Sequence, residues 1–182
     1  MGTLRAGLTA LVAASLLLVA LPGIASAATT GTTATTFTLT GGSMSITVPG
    51  TTVNLGSMSV AASSITGQLG TVTVDDNRGL LNGGWTADTL SSSHFTTGGQ
   101  TTAETIAAYW SGAATATSGL GTLLGSQPTS GLAVIVNAVQ TAFTGGSLLG
   151  NNSASWNPTL IVTIPAAAVV GTYTGTVTHT VA

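Results

Sequence analysis

Apolar and hydroxyl-bearing residues alternate with a period of two in several short segments that begin at residue 37. Each segment puts its apolar side chains on one face and serine or threonine on the other, which is the pattern of a half-buried β-strand. Glycine, proline and asparagine separate the segments at the spacing of β-turns. The alternating apolar positions in the first half of the chain are Phe37 and Leu39, Met44, Ile46 and Val48, Met58 and Val60, and Val72 and Val74.

The C-terminal part of the chain carries the clearest strand signals. Residues 160–164 alternate up to Pro165, which ends the strand, and residues 171–181 alternate strictly between threonine and larger side chains. The second alternation places His179 on the apolar face, where a buried imidazole is expected to stay neutral. Residues 132–139 form an apolar run rich in β-branched side chains and are also predicted to be a strand.

Helical signals are scarce. Thr101 and Glu104 have the spacing of a capping box, but the apolar stretch that follows is too short for a helix. Seven to ten short antiparallel strands joined by polar turns predict an all-β fold, an antiparallel β-sandwich, rather than a parallel α/β fold. No repeat of fixed period occurs, so residues 37–182 are predicted to form a single domain.

Residues 1–27 have the features of a cleaved secretory signal peptide. Arg5 supplies the positive charge, Leu8–Leu21 is an uncharged apolar run, and Ala25–Ala27 fits the small-x-small cleavage pattern. The alternative is an uncleaved N-terminal anchor. Residues 28–36 contain only threonine, alanine and glycine and are predicted to be a disordered spacer. The mature chain is expected to be secreted and to contain no transmembrane segment.

Charge is nearly absent from the 182 residues, of which 3% are charged and none is cysteine. Removal of the leader leaves one cation and four acidic residues, a formal net charge of −3. Such a chain cannot bind nucleic acid by neutralising phosphates or a membrane through a polybasic patch. Without cysteine it has no disulfide framework, no zinc ribbon and no thiol nucleophile.

The carboxylates of Asp75 and Asp76, close to Arg78, form the densest group of charges in the sequence. Two interpretations are open: a calcium or sugar site, or a tight turn in which aspartate caps backbone amides and Arg78 pairs with one carboxylate. The ligand spacing of a calcium loop is missing, which favours the structural turn.

Other candidate chemistry is sparse. His94 and His179 are too far apart in sequence to indicate a metal site, and no G-x-S-x-G nucleophile motif occurs. We therefore predict no catalytic activity, no metal and no cofactor. Trp85, Trp110 and Trp156 are typical of core anchors, although Trp85 is kept as a candidate for stacking on a sugar ring.

The order of these motifs resembles the WxL family of bacterial cell-surface proteins. In that family a strand with a D-x-R-G element leads to a first Trp-x-Leu motif, and a second such motif closes the chain. Here the first motif reads Trp85-Thr86-Ala87 and the second reads His179-Thr180-Val181. The matching segments are residues 72–79 and 84–87, Phe95, residues 106–109, Gly112, and residues 160–165 and 171–181.

The resemblance implies a non-enzymatic β-sandwich that is bound non-covalently to peptidoglycan or belongs to a complex of surface proteins. It also implies that Trp85 and His179, which take the places of the two motif tryptophans, lie side by side at one end of the core. Ligand contacts are therefore expected from Trp85, Asp75, Asp76, Arg78 and His179.

The alternative is a self-associating, pilin-like or adhesin-like subunit, because neutral edge strands lack the charges that block pairing between copies. It ranks second because residues 28–36 offer no alternating apolar extension that a second copy could bind.

Overall fold

The computed structural model describes residues 30–91, 95–101 and 107–182. The predicted leader, His94 and Glu104 lie outside the described residues. The chain divides into two compact units, Met1–Thr38 and Leu39–Ala182, and all strands of the described residues belong to the second. Apart from one 3₁₀ turn, all regular structure in the described ranges is β, and no helix there is long and apolar enough to cross a membrane.

Two antiparallel sheets make up most of the second unit, which confirms the all-β class. The first sheet has the order β1-β3-β9-β7, with β11 also paired to β3, and the second has the order β2-β10-β6-β8. The β4 and β5 strands form a separate two-stranded ribbon. The strands are β1 (Met44–Thr47), β2 (Ser64–Gln68), β3 (Val72–Ser91), β4 (Thr96–Thr97), β5 (Gln100–Thr101), β6 (Ala107–Trp110), β7 (Ala114–Gly125), β8 (Val134–Ile135), β9 (Gln140–Trp156), β10 (Thr159–Thr163) and β11 (Val177–Val181).

The first sheet is built on β3 and β9, which contain 20 and 17 residues and pair along almost their whole length. The opposite edge of β3 is shared by two short strands. β1 pairs with residues 73–76 and β11 pairs with residues 87–91. The C-terminus extends this pairing, because Ala182 and Thr86 exchange two backbone hydrogen bonds.

The core of the described residues contains two clusters of buried side chains, one from the first sheet and one formed mainly by the second sheet. The alternation of apolar and polar residues along the strands sends one set of side chains inward, where burial of apolar area stabilises the fold. The first cluster contains Val72, Val74, Trp85, Ala87, Phe143, Leu148, Ala154 and Trp156, and the second contains Ala107, Tyr109, Val136, Ala142, Leu160 and Val162.

The prediction that the strand ends at the Asp75–Gly79 turn is wrong. Both residues lie inside β3, and the chain makes an irregularity in register between Asp76 and Leu80 before the pairing with β9 resumes. A bulge of this kind lets a strand absorb extra residues and continue. β3 pairs with β9 both before and after this segment. That pairing holds the segment in the sheet, although its residues are typical of a turn.

Several other strand predictions are also wrong. Phe37 and Leu39 lie outside any strand, and so do Met58 and Val60. Residues 132–139 contain only the two-residue β8. Alternation shows only that a segment could form a strand, because a strand also needs a neighbouring strand to satisfy its backbone groups.

The C-terminal predictions are correct in part. The strand before Pro165 is present as β10, whereas the alternating run from Gly171 is a strand only over Val177–Val181. Between them, Thr174 makes an isolated bridge with Thr96. The chain from Pro165 to Thr176 therefore runs outside the two sheets.

Candidate functional site

Trp85 belongs to the core. Its side chain is 3% exposed, and its Nε1 donates a hydrogen bond to Oδ1 of Asn152 at 2.9 Å. The ring stacks on Phe143 with a centroid separation of 6.1 Å, and Phe143 stacks on Trp156 at 4.7 Å. A ring enclosed in this way presents no free face to a sugar, so the expected ligand contact of Trp85 is replaced by a structural role.

The buried Asp76 forms an ion pair with the half-buried Arg78. The Asp76 carboxylate, in a residue that is 1% exposed, accepts hydrogen bonds from Arg78 Nε at 2.8 Å, Nη2 at 3.0 Å and the Arg78 backbone N–H at 3.1 Å. These bonds hold the pKa of Asp76 below its usual value, although burial opposes the shift. Arg78 also donates to the carbonyl of Gly84 at 2.9 Å. The pair therefore fixes the irregular part of β3, in agreement with the structural interpretation.

Asn152 connects this ion pair to Trp85. Its Oδ1 accepts from the indole of Trp85, and its Nδ2 donates to Oδ2 of Asp76 at 3.3 Å. Trp85, Asp76 and Arg78 are thus brought together, with the first two buried and Arg78 half-buried. Asn152 is the residue that sequence reasoning missed, because a polar residue in an Asn-Asn-Ser stretch gives no sign that it will be buried.

Asp75 lies on the opposite, outer face of the first sheet. Its register partners are Ser45 on β1 and Ser153 on β9. The neighbouring outward side chains also carry hydroxyl groups. Two hydroxyl pairs at 2.8 Å bridge the strands of this face, Thr73 with Ser155 and Ser118 with Ser153. The side chains of Asp75 and Asp76 therefore lie on opposite faces of the sheet.

His179 reaches across to the second sheet through Tyr109. Nε1 of Trp156 lies 3.2 Å from the Tyr109 hydroxyl, which lies 3.2 Å from Nε2 of His179. An indole N–H can only donate, so the phenol oxygen accepts that bond and its own hydrogen is available to an unprotonated Nε2. The neutral His179 tautomer that carries its proton on Nδ1 fits this arrangement.

Burial keeps this hydrogen-bonded row uncharged. It lowers the pKa of His179 to about 4 and raises the pKa of Tyr109 above its usual value. Both groups are therefore neutral at physiological pH, as expected for an imidazole on the apolar face. An imidazole with so low a pKa is a poor proton acceptor for catalysis near neutrality.

Trp85 and His179 are not adjacent, so the expectation that they share one end of the core is wrong. β11 pairs with β3 so that His179 lies opposite Thr89, four residues beyond Trp85, which corresponds to roughly 13 Å along a strand. Val181 instead packs against the cluster that contains Trp85. The register of the last strand, which the motif order does not specify, decides this separation.

His179 lines a cleft with a volume of about 960 Å³. Two segments that lack strand structure, residues 51–60 and 168–176, contribute most of its lining, and His179 is part of the wall. Apolar residues from the two sheets also line it, along with two aromatic rings. These residues are Ile65, Val72, Leu160 and Val162, and the rings are those of Phe95 and Tyr173.

The cleft combines apolar surface with hydroxyl and amide groups, and none of its lining residues carries a formal charge at neutral pH. Tyr173 shapes one side, because its hydroxyl donates to the carbonyl of Val169 and accepts from the amide of the same residue, both at 3.2 Å. The polar lining groups come from Thr51, Thr52, Asn54, Ser57, Ser59, Thr163, Thr172, Thr174 and Thr176.

Within the part of the chain that the structure describes, no group of three or more histidine, cysteine, aspartate or glutamate side chains could hold a metal ion. The side chains that line the cleft offer apolar contacts and hydrogen bonds to a ligand. Sequence reasoning missed the cleft because both of its segments alternate like strands, and nothing local shows that they lack partners.

No protein-family model, curated protein or solved structure matches this chain. What the protein binds is therefore inferred from the two sheets, the cleft and the chemistry of their side chains.

Proposed function

We propose that this protein is a secreted, non-enzymatic β-sandwich module of the bacterial cell surface that binds peptidoglycan or a similar neutral wall polymer in the cleft beside His179. The observation that carries the proposal is the cleft itself. Its volume of about 960 Å³ is at the upper end of the range for ligand sites, and its lining alternates between apolar and hydroxyl groups.

The chemistry of the cleft suits an N-acetylated glycan. Such a polymer presents hydroxyl groups, amides and methyl groups, and the cleft offers hydrogen-bonding side chains beside the rings of Phe95 and Tyr173. The resemblance to the WxL family supports the same partner. The buried position of Trp85 moves the proposed contact from the motif tryptophan to the cleft.

Co-sedimentation with purified Gram-positive sacculi tests this proposal. The chain without residues 1–27 is expected in the pellet. A negative charge in the cleft should weaken binding several-fold, because a charge that loses water without a partner is costly. Met58→Glu supplies that charge at a lining residue that is 58% exposed, so the fold should tolerate it.

Thr47→Glu is the matched control, because it adds the same charge to an exposed residue of β1 that is not part of the lining. It should bind sacculi like the parent. Recovery of the parent in the unbound fraction, with and without salt, would rule out wall binding. Equal binding by Met58→Glu and the parent would remove the cleft from the proposal.

A further inference from the structure

Residues 36–40, Thr-Phe-Thr-Leu-Thr, form a strand-like segment that lies outside both sheets. Phe37 is 83% exposed and Leu39 is 86% exposed, which places them among the most exposed large apolar side chains in the described residues. Two such side chains separated by one threonine would lie on the same face of an extended chain. The segment therefore has the pattern of a half-buried strand without a partner.

The outer edge of β1 is a site where such a strand could add. In the described part of the chain β1 pairs only with β3, so its other edge is open. Met44 and Ile46 point inward from β1, remain half-buried and pack at the margin of the first core cluster. A strand added here would place two apolar side chains against them and complete the cluster.

The backbone that leads directly into β1 is hydrogen-bonded to β3. Two glycines, Gly41 and Gly42, separate the segment from β1 and could form a two-residue hairpin turn. Instead, the amide of Gly42 donates to the carbonyl of Asn77 at 2.7 Å, and the amide of Asn77 donates to Ser43 at 3.0 Å. The backbone of residues 42–43 is thus committed to β3.

Both glycines are needed for this approach. A Cβ at Gly41 would clash with the backbone carbonyl oxygen of Arg78, and a Cβ at Gly42 would lie 3.0 Å from the carbonyl oxygen of Asn77. Glycine at positions 41 and 42 therefore favours the close approach of this backbone to β3 over a hairpin turn.

We propose that residues 36–40 of one copy add as a strand to the open edge of β1 in a second copy, with Phe37 and Leu39 on the inward face. Main-chain hydrogen bonds supply the pairing, and the two apolar side chains select the face. No charge opposes it, since neither β1 nor the segment contains a charged residue. Gly41, Gly42 and Ser43 connect the added segment to β1 of its own copy in this exchange.

Sedimentation of the chain without residues 1–27, over roughly a hundredfold range of concentration, tests the proposal. The average mass of the parent should rise with concentration to about twice the monomer mass or beyond. Phe37→Asp combined with Leu39→Asp should remain monomeric, because strand addition would now bury two charges. Since both side chains are exposed, the variant should have the melting temperature of the parent at concentrations where the parent is monomeric.

Thr38→Asp is the matched control, with one aspartate on the other face of the same segment. It should associate within a few-fold of the parent. A parent that stays monomeric throughout, a double variant that associates like the parent, or a control that loses association as completely as the double variant would each overturn the proposal. Sacculus binding is measured separately, so failure here leaves the proposed function intact.

The absence of cysteine from the sequence permits a second measurement. One preparation carries Leu39→Cys and the other, of different mass, carries Met44→Cys. Oxidation of the mixture should give the mixed dimer in several-fold excess over a mixture of Thr38→Cys with Met44→Cys. Equal yields from the two mixtures would contradict the assigned face.

Discussion

A single hydroxyl group, that of Tyr109, joins side chains from three strands in two sheets. It accepts from Trp156 on β9 and lies within hydrogen-bond distance of His179 on β11. Tyr109 itself is fully buried on β6. A buried phenol that is satisfied on both sides stabilises one packing of the sheets, because each alternative leaves a polar group unpaired.

This geometry predicts an acid-sensitive stability that is due to His179. The folded state keeps the imidazole neutral down to about pH 4, whereas an unfolded histidine takes up a proton near pH 6.5. The unfolded state therefore binds more protons between these values, and stability falls as the pH drops from about 6.5 to 4. The loss should be roughly 3 kcal/mol at most.

Denaturant melts at a series of pH values measure this loss. His179→Gln is the control, because its amide oxygen can still accept from Tyr109 but does not titrate. The free energy of unfolding of this variant should change much less between about pH 6.5 and pH 4. Asp76, whose pKa is lowered by Arg78, acts separately, and its contribution is lost only as the pH falls below about 4. If the free energy of unfolding of His179→Gln fell with pH as steeply as that of the parent, His179 would not be the group that causes the loss.

At the scale of elements, the length of β3 and β9 is the main departure from the sequence pattern. Both contain glycines and polar residues that are typical of turns, yet they continue through several register irregularities. Bulges let the two strands stay paired where alternation fails. The irregularity after Asp76 is held by the Arg78 ion pair, whose partner residues are separated by a single position.

Gly145 and Gly146 on β9 give a matched pair of predictions for this region. A Cβ at Gly145 would lie 2.6 Å from the buried ring of Trp85, whereas nothing lies within 4 Å of a Cβ at Gly146. Gly145→Ala should cost about 1–3 kcal/mol because the ring cannot move in a packed core. Gly146→Ala should lie within about 0.5 kcal/mol of the parent.

Urea unfolding measures the free energies of unfolding of the two alanine variants. Equal stability of the two alanine variants would mean that Trp85 is not packed against β9 as described.

At the scale of the whole molecule, the near absence of charge limits the electrostatic contribution to binding. The one ion pair between described side chains, Arg78 with Asp76, is internal, and the cleft lining is neutral. Long-range electrostatic attraction to a polymer therefore contributes little. Association must depend on short-range contacts, which salt hardly screens.

Sacculus binding should accordingly change by less than about twofold between about 50 and 500 mM NaCl. Co-sedimentation isotherms at the two salt concentrations measure this, with a polycationic protein as the control that must be released. A tenfold loss at high salt would show that charged wall polymers, and not the neutral cleft, account for binding.

The alternation of residues by itself determined the all-β class, because a period of two can bury one face only in a sheet. Alternation also located β1, the start of β3, β10 and the end of β11. Composition determined that any binding surface would be nearly free of charge, since 3% of the residues are charged. These properties depend on residues that are close in sequence.

Only the tertiary structure decided which alternating segments became strands. Residues 36–40 and 58–60 alternate as well as β1 does, but no neighbouring strand pairs with them. The structure also decided that Asn152 joins Asp76 to Trp85, and that His179 faces Tyr109 and not Trp85. Partner and register are set by contacts between distant parts of the chain, and a local pattern cannot specify them.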